Sequence, residues 1–260
     1  MVKTTILLQA WLCCAAASAA PAEVPHSLKA CGDVNEFPPY TYYERKDGKM
    51  KESVAGFNVD YLAALLGPDR RGVSVVLLPW KRCLLLAAQG HYDLVLDVSG
   101  QAQRQRDFYI ANAHYSIRPI MMFSEKMPPP PGDSPDVLAH YSRCEVLGWD
   151  YTGYGMPPGV GVVAVPSTLD GALRMLRIGR CQVMVHNLEL VLGMRQVGKQ
   201  DLLEGLTYRH IAWLPVYELH FAVSRKLPYA RPLVEMLNRG RLAMNKSGET
   251  QRLLKKYLPD

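Results

Sequence analysis

The first half of the chain alternates short apolar runs with segments of helical period. Residues 27–32, 73–78 and 93–98 are rich in aliphatic and β-branched side chains, which is typical of short buried strands. Residues 56–66 and 80–89 lie between them and have helical spacing. The order β–α–β–α–β predicts a parallel sheet with helical crossovers.

The second half repeats this alternation and ends in helices. Strands are predicted at residues 144–147, 160–165, 182–187 and 216–224. Helices are predicted at residues 169–178, 188–197, 229–244 and 249–257, with Ser167 as the N-cap of the first. The fold class is therefore α/β, with two successive alternating halves.

A hydroxyl and a guanidinium follow the third strand at close spacing. Ser99 ends this strand at the turn Asp97-Val98-Ser99-Gly100, and Arg104 comes five residues later at a predicted helix start. Arginine binds carboxylates bidentately, and free N–H groups at a helix start favour anions. These residues therefore predict a small carboxylate site, although Arg104 and Arg106 could also be solvated surface charges.

Several candidate ligand contacts follow different predicted strands. In parallel sheets, ligands bind beyond the carboxyl ends of the strands, and Phe37, Trp80 and Ser99 all lie just after strands. Phe37 and Tyr40 flank two prolines that stiffen their loop, and their rings suit a cationic or apolar ligand group. For Phe37, Tyr40 and Trp80, the alternative is that they only pack against the protein.

Composition and charge narrow the class of protein. The chain has 260 residues, 48% hydrophobic and 21% charged, as in an ordinary globular protein. Its formal charge is +6, and the basic residues are scattered, so a nucleic-acid partner is not expected. Residues 1–19 read as a cleaved secretory signal, with Lys3 before an apolar segment and a small-residue cleavage site. Cleavage would remove Lys3 and leave a charge of +5.

Four cysteines remain after the predicted signal: Cys31, Cys83, Cys144 and Cys181. An even number in an exported chain indicates disulfides, and four cysteines allow three pairings. The spacing lacks the Cys-x-x-Cys of zinc sites, so no metal is expected, and neither is any other cofactor. Buried free thiols are the alternative.

Three motifs along the chain resemble the extracytoplasmic solute-binding proteins, family 3, that serve polar amino-acid ABC transporters. The first is Ser99-x-x-x-x-Arg104 with Tyr115 eleven residues later. The second is FPPYTYY followed by GFNVD, which is similar to YPPF and GFDVD in the family. The third is the end of the chain, LNRGRLAMNKSGETQRLLKKYL. The resemblance covers essentially the whole mature chain.

The resemblance implies a type II periplasmic binding protein fold, with two lobes of mainly parallel sheet joined by two crossover strands. Lobe 1 would comprise residues 20–118 and 221–260, and lobe 2 residues 119–220. It implies that Ser99 and Arg104 bind a ligand carboxylate and that Phe37 stacks on the ligand. Trp149 and Asp150, just past the turn at Gly148, would line the cleft from lobe 2.

One position departs from the family pattern. Amino-acid binders have an aspartate that holds the ligand ammonium where this chain has Asn187. An amide lacks the full charge that pairs with an ammonium. The ligand therefore either lacks a free α-ammonium or binds another acid, of which Asp97 is the first candidate and Asp150 the second. Asp97 could equally cap the strand end.

The resemblance also favours one disulfide pairing and implies certain protein partners. Cys31–Cys83 with Cys144–Cys181 is the preferred pairing, because a disulfide between lobes would resist closure. A monomer that delivers its ligand to an ABC-transporter permease is expected, or one that contacts a sensor protein. The main prediction is a non-enzymatic binding protein.

Two other functions remain open. A sensory module would bind a ligand without transport. A dehydratase-like enzyme would need a general acid, for which Asp97, Asp150, Glu189 and His186 are candidates without a paired arrangement.

Overall fold

The structure is a computed structural model. It describes residues 22–67, 72–128, 131–132, 134–147, 149, 151, 154, 159–197 and 201–258. The predicted signal, residues 1–19, and two residues of the predicted lobe 2 cleft, Gly148 and Asp150, lie outside the described residues.

Thirteen strands and seven helices form the described part of the chain. The strands are β1 Ser27–Asp33, β2 Tyr42–Lys46, β3 Lys49–Ala55, β4 Gly72–Leu78, β5 Leu94–Ser99, β6 Phe108–Ile110, β7 Tyr115–Ile117, β8 Pro119–Ser124, β9 Arg143–Cys144, β10 Val162–Ala164, β11 Met184–Asn187, β12 Leu206–His210 and β13 Tyr217–Ser224. The helices are α1 Phe57–Leu66, α2 Trp80–Ala88, α3 Pro135–Ala139, α4 Leu169–Arg177, α5 Leu188–Gln196, α6 Ala230–Ser247 and α7 Glu249–Tyr257.

The first sheet has the order β4-β1-β5-β13-β6, and β7 also pairs with β13. β1 runs parallel to β4 and β5, whereas β13 runs antiparallel to β5, β6 and β7. All strands of this sheet except β13 therefore point the same way. Because β1, β4 and β5 are followed by connections at one edge, their loops converge there.

A second group of strands also runs in one direction, with one reversed strand. β8 lies between β11 and β12 and runs antiparallel to both, while β9 pairs parallel with β10. A parallel bridge from Arg143 to Val183 links β9 to the start of β11. Within the described strands of this group, only β8 is reversed, so the predicted α/β architecture with mainly parallel sheets is confirmed.

The two reversed strands belong to the passages between the sheets. The chain leaves the first sheet after Ile117, enters the second at Pro119, and returns between His210 and Tyr217. We propose lobe boundaries near these points. The proposed first boundary is at residues 118–119. The proposed return lies before Tyr217, and not at residue 221, because all of β13 pairs within the first sheet.

Apolar layers cover both faces of the first sheet. Leu28, Leu94 and Leu96 pack with α1, α6 and α7 on one face. Cys31 and Val95 pack with α2 on the other face. No described helix has the length and apolarity needed to cross a membrane.

The two disulfides have the preferred pairing. Cys31–Cys83 joins β1 to α2, with 5.8 Å between Cα atoms. Cys144–Cys181 joins β9 to the segment before β11, with 5.6 Å between Cα atoms. Each disulfide stays on one side of the passages between the sheets and leaves the relative motion of the sheets unconstrained.

Local differences from the predicted elements have physical causes. The N-cap of α4 is Thr168, whose hydroxyl accepts from the Gly171 N–H at 3.2 Å, and not Ser167. The β2–β3 hairpin was missed because its strands are largely polar and exposed. The expected helix start at Arg104 is instead a five-residue 3-10 helix, Ala102–Arg106, so it supplies no α-helical N-terminus for an anion.

One backbone contact joins the loop after β1 to α5. A Cβ built on Gly193 of α5 would collide with the carbonyl of Pro38. Phe37, next to Pro38, packs against the cores of both sheets. Gly193 is therefore required by close approach of two backbones, and this approach holds the loop against the second sheet's helix.

We expect Gly193→Ala to lower the free energy of unfolding by about 1–3 kcal/mol, because overpacking against a backbone outweighs the better helix propensity of alanine. Chemical unfolding followed by circular dichroism measures this. Gly67→Ala is the matched control, because Gly67 has a φ of −57° and its added Cβ meets nothing within 4 Å. Equal stability of the two variants would contradict the contact.

Candidate functional site

A pocket of about 130 Å³ lies at the converging strand ends, and residues from both sheets line it. Seven of the nine predicted ligand-binding residues are among its walls: Phe37, Trp80, Asp97, Ser99, Arg104, Trp149 and Asn187. These predicted residues are up to 150 positions apart in the chain, and the fold places them around one pocket.

The predicted carboxylate-binding pair comes from β5 and the 3-10 helix that follows it. Ser99 is the last residue of β5 and is buried. The Arg104 guanidinium lies over the Trp80 ring, 5.3 Å from its centroid, which orients it by a cation–π contact. Arg106 instead points to solvent and pairs with Asp107 at 3.1 Å, so Arg104 is the arginine of the pocket.

Asp97 reaches the pocket through an irregularity in β5. Leu219 pairs with Ser99 and Ala222 with Val95, so β5 has one more residue than β13 over this stretch, which defines a β-bulge. Asp97 sits in the bulge with a φ of 56°, a conformation that is rare outside glycine. Strain of this kind is typical of functional sites.

Hydrogen bonds hold the Asp97 carboxylate from the protein side. Its Oδ1 accepts from the Tyr115 hydroxyl and from Asn58 Nδ2 at 2.6 Å. Its Oδ2 is buried and has no hydrogen-bond partner among the described residues. Burial raises the pKa of Asp97 to about 6, and the hydrogen bonds from Tyr115 and Asn58 limit this rise.

The network behind Asp97 was not predicted from the sequence. Asn58 Oδ1 lies 2.7 Å from Nε2 of His114, which is buried and stacked on Phe221 with 3.9 Å between ring centroids. Desolvation lowers the pKa of His114 well below its usual value, so the ring is neutral and its Nε2–H donates to Asn58. The amide of Asn58 is thereby oriented to donate to Asp97.

The second sheet contributes neutral groups. Asn187, the last residue of β11, accepts a hydrogen bond at Oδ1 from the Tyr154 hydroxyl at 2.8 Å. Trp149 packs edge-on against His186, with 5.4 Å between ring centroids. Burial lowers the pKa of His186 to about 4, so this histidine is neutral and packs behind the pocket wall, as expected of a structural histidine.

Six further lining residues were not predicted from the sequence: Asp33, Glu36, Ile117, Tyr154, Tyr217 and Leu219. Glu36 forms a bidentate ion pair with Arg45, at 2.9 and 3.0 Å, so its charge is already matched. Burial raises the pKa of Asp33, whose Oδ1 accepts from Asn35. Position after a strand could have indicated Asp33, because it ends β1.

Two of the nine predicted ligand-binding residues, Tyr40 and Asp150, are not among the described walls of the pocket. Tyr40 is fully buried and does not line the pocket. It stacks on Tyr115 with 3.9 Å between ring centroids and on Phe37 with 5.9 Å. Tyr40 therefore packs behind Phe37, which lines the pocket, and does not itself contact the pocket. Asp150 lies outside the described residues.

The donor set does not indicate a metal. Among the described residues, no three histidine, cysteine, aspartate or glutamate side chains are grouped so that they could hold an ion. The chemistry of the described pocket is therefore that of one guanidinium, carboxyls, amide and hydroxyl groups on aromatic walls.

This geometry, a pocket between two sheets that are linked by two passages, defines a two-lobed binding protein. Residues 30–260 match the model of the bacterial extracellular solute-binding proteins, family 3. The chain belongs to this family, whose members are extracytoplasmic. A comparison with curated protein sequences gives no match.

Solved structures share the fold. A histidine kinase sensor domain with similarity to periplasmic binding proteins has a TM-score of 0.73 and 20% identity, over 90% of this chain and 96% of that one. An amino acid ABC transporter substrate-binding protein, AbpA from Streptococcus pneumoniae bound to L-arginine, has a TM-score of 0.70 and 15% identity, over 89% and 94%. An ancestral amino acid-binding protein, a precursor of cyclohexadienyl dehydratase, has 0.67 and 17%, over 89% and 95%. The predicted type II fold is confirmed.

The raised pKa of Asp97 predicts a pH-dependent stability. The folded-state pKa of about 6 lies above the ordinary aspartate value of 3.8, so the folded state binds more protons between these pH values. The free energy of unfolding should therefore fall as pH rises from 4 to 7, by roughly 3 kcal/mol from this group. The Asp97→Asn variant should lack this pH-dependent part of the free energy of unfolding, because an amide does not titrate. Asparagine also tolerates a positive φ, so the backbone should be kept.

Urea unfolding of both proteins at a series of pH values measures the difference. Groups other than Asp97 cancel in the comparison. Parallel pH profiles for the two proteins would show that Asp97 titrates at its usual pKa.

Proposed function

We propose that this protein binds a small zwitterionic carboxylate, an amino acid or a close relative, between its two lobes. The observation that carries the proposal is the placement of Ser99, Arg104 and Asp97 in one pocket at the end of β5. The arginine suits a carboxylate, and the aspartate suits a positively charged group.

The charges of the pocket support a ligand with both signs. Among the described lining residues, Arg104 is the one cationic side chain, while Asp33, Glu36 and Asp97 carry carboxyls. Arg45 already neutralises Glu36. A ligand with a carboxylate alone would leave the carboxyls at Asp33 and Asp97 without a positive partner, whereas an amino acid matches both kinds of charge.

Asp97 takes the role that aspartate has at the position of Asn187 in amino-acid binders. Asp97 lines the pocket, and its Oδ2 is buried without a hydrogen-bond partner among the described residues, so an ammonium bound next to it would satisfy this oxygen. Asn187 donates its amide to the ligand as a neutral group, because its carbonyl oxygen already accepts from Tyr154. Both charged ligand groups are thus held from the first sheet.

Binding between lobes couples the ligand to closure. A ligand favours the closed state by the contacts that it makes only there, which here come from Trp149, Tyr154 and Asn187 of lobe 2. We propose that residues 1–19 direct the chain to the periplasm and are removed there. A monomer would then deliver its ligand to an ABC-transporter permease, which reads the closed form.

A sensory role is the second candidate, and the similarity to a histidine kinase sensor domain favours it. The same closure would then be read by a signalling protein. A dehydratase role is not proposed, because no second acid or base among the described residues is hydrogen-bonded to Asp97, whose Oδ1 accepts from Asn58 and Tyr115.

We expect Arg104→Ala to weaken binding of an identified amino-acid ligand about 30-fold or more, because one partner of a partly buried charge pair is lost. Isothermal titration calorimetry of the mature protein measures this. Arg106→Ala is the matched control and should change the affinity less than twofold, because its side chain is 86% exposed. A similar loss in both variants would indicate a general charge effect and not a carboxylate site.

We expect Asp97→Asn to weaken binding of the same amino acid roughly 10- to 100-fold at pH 7.5, because a charge-assisted hydrogen bond is lost. The analogue in which hydrogen replaces the α-amino group should bind both proteins with similar affinity. Calorimetry of the four combinations gives the coupling between the ligand amine and the Asp97 charge. A coupling near zero would remove Asp97 from the ammonium site.

A further inference from the structure

A second pocket of about 280 Å³ adjoins the first. Asp33, Trp80 and Trp149 line both pockets, so these residues lie where the two meet. We call the pocket with Arg104 the inner pocket and the second one, which also includes Leu147, the outer pocket.

The outer pocket has apolar walls that are exposed to solvent. Val34 is 40% exposed and Leu147 is 64% exposed, and both line it together with Pro79. Trp80 and Trp149 complete the apolar part of the lining, and Asp33, Asn35 and Lys81 are its polar residues. Exposed apolar groups that are grouped beside a polar site are typical of ligand-binding surfaces.

The volumes of the two pockets set the size of the ligand. Ligand pockets usually have roughly 300–1,000 Å³, which the inner pocket, with about 130 Å³, does not reach. The outer pocket of about 280 Å³ brings the continuous space into this range. The inner pocket has room for the charged head group, and the outer pocket, which Trp80 and Trp149 border, is one direction in which a longer ligand can extend. The other is a pocket of about 880 Å³ that shares Ser99 and Tyr217 with the inner pocket.

We propose that the ligand is an amino acid with a long apolar side chain, whose stem passes between Trp80 and Trp149 into the outer pocket. This rests on the proposed function, since Arg104 and Asp97 hold the head group in the inner pocket. The side chain leaves the inner pocket at the junction and covers Leu147 and Val34. Asn35 and Lys81 also line the outer pocket and allow a polar tip on the side chain.

A homologous series of straight-chain L-2-amino acids tests the proposal. The ligands have four to eight carbons, from L-2-aminobutyrate to L-2-aminooctanoate, and calorimetry gives the dissociation constant of each. Burial of each added methylene in the outer pocket should tighten binding by about fourfold. The increase should continue through the longest members, because the space does not end at the inner pocket.

Leu147→Ser shows where the added methylenes bind. The loss of affinity in this variant should grow with ligand length, which reduces the slope of affinity against carbon number. Leu242→Ser is the matched control: Leu242 is 60% exposed on α6 and lines neither pocket, so the slope should equal that of the unmodified protein.

Three outcomes decide the matter. A steep slope that Leu147→Ser reduces and Leu242→Ser keeps supports the proposal. If the short members bind through Arg104 but affinity is flat or falls with length, the long side chain is excluded and the proposed amino-acid function stands. If no member of the series binds, both the side-chain proposal and the proposed amino-acid function are overturned.

Discussion

The buried carboxylate of Asp97 is the constraint on which the pocket depends. Hydrogen bonds from Asn58 and Tyr115 tie it to α1 and β7, and the bulge in β5 turns it toward the ligand site. These partners satisfy one oxygen, while the other is buried without a hydrogen-bond partner among the described residues. Ser99 and Arg104 follow within seven residues, so the same strand end fixes their positions.

The two sheets contribute different kinds of side chain to the pocket. The first sheet holds the charged groups, and the second supplies Asn187, Trp149 and Tyr154, which are neutral and aromatic. A ligand held by charge on one side can bind before the lobes close, and the neutral side then adds contacts that favour closure. The disulfides leave this motion unrestricted, because each one remains on a single side.

Much of the fold followed from the sequence because parallel α/β sheets have clear apolar strands and helical crossovers, and their ligand contacts follow strand ends. Phe37, Trp80 and Ser99 were placed by that rule alone. The bulge at Asp97 could not be predicted from the sequence, because one extra residue in a strand leaves the strand's apolar composition unchanged. The burial of Tyr40 depends on stacking against Tyr115, a contact that spacing along the chain does not reveal.

The most direct test of the account is the position of the carboxylate of a bound amino acid in a crystal structure of the complex. We expect its oxygens within hydrogen-bond distance, about 2.7–3.0 Å, of the Arg104 guanidinium and the Ser99 hydroxyl, with the ammonium on Asp97 Oδ2. A ligand bound in this pocket with its carboxylate on Asn187, or with its ammonium away from Asp97, would contradict the account.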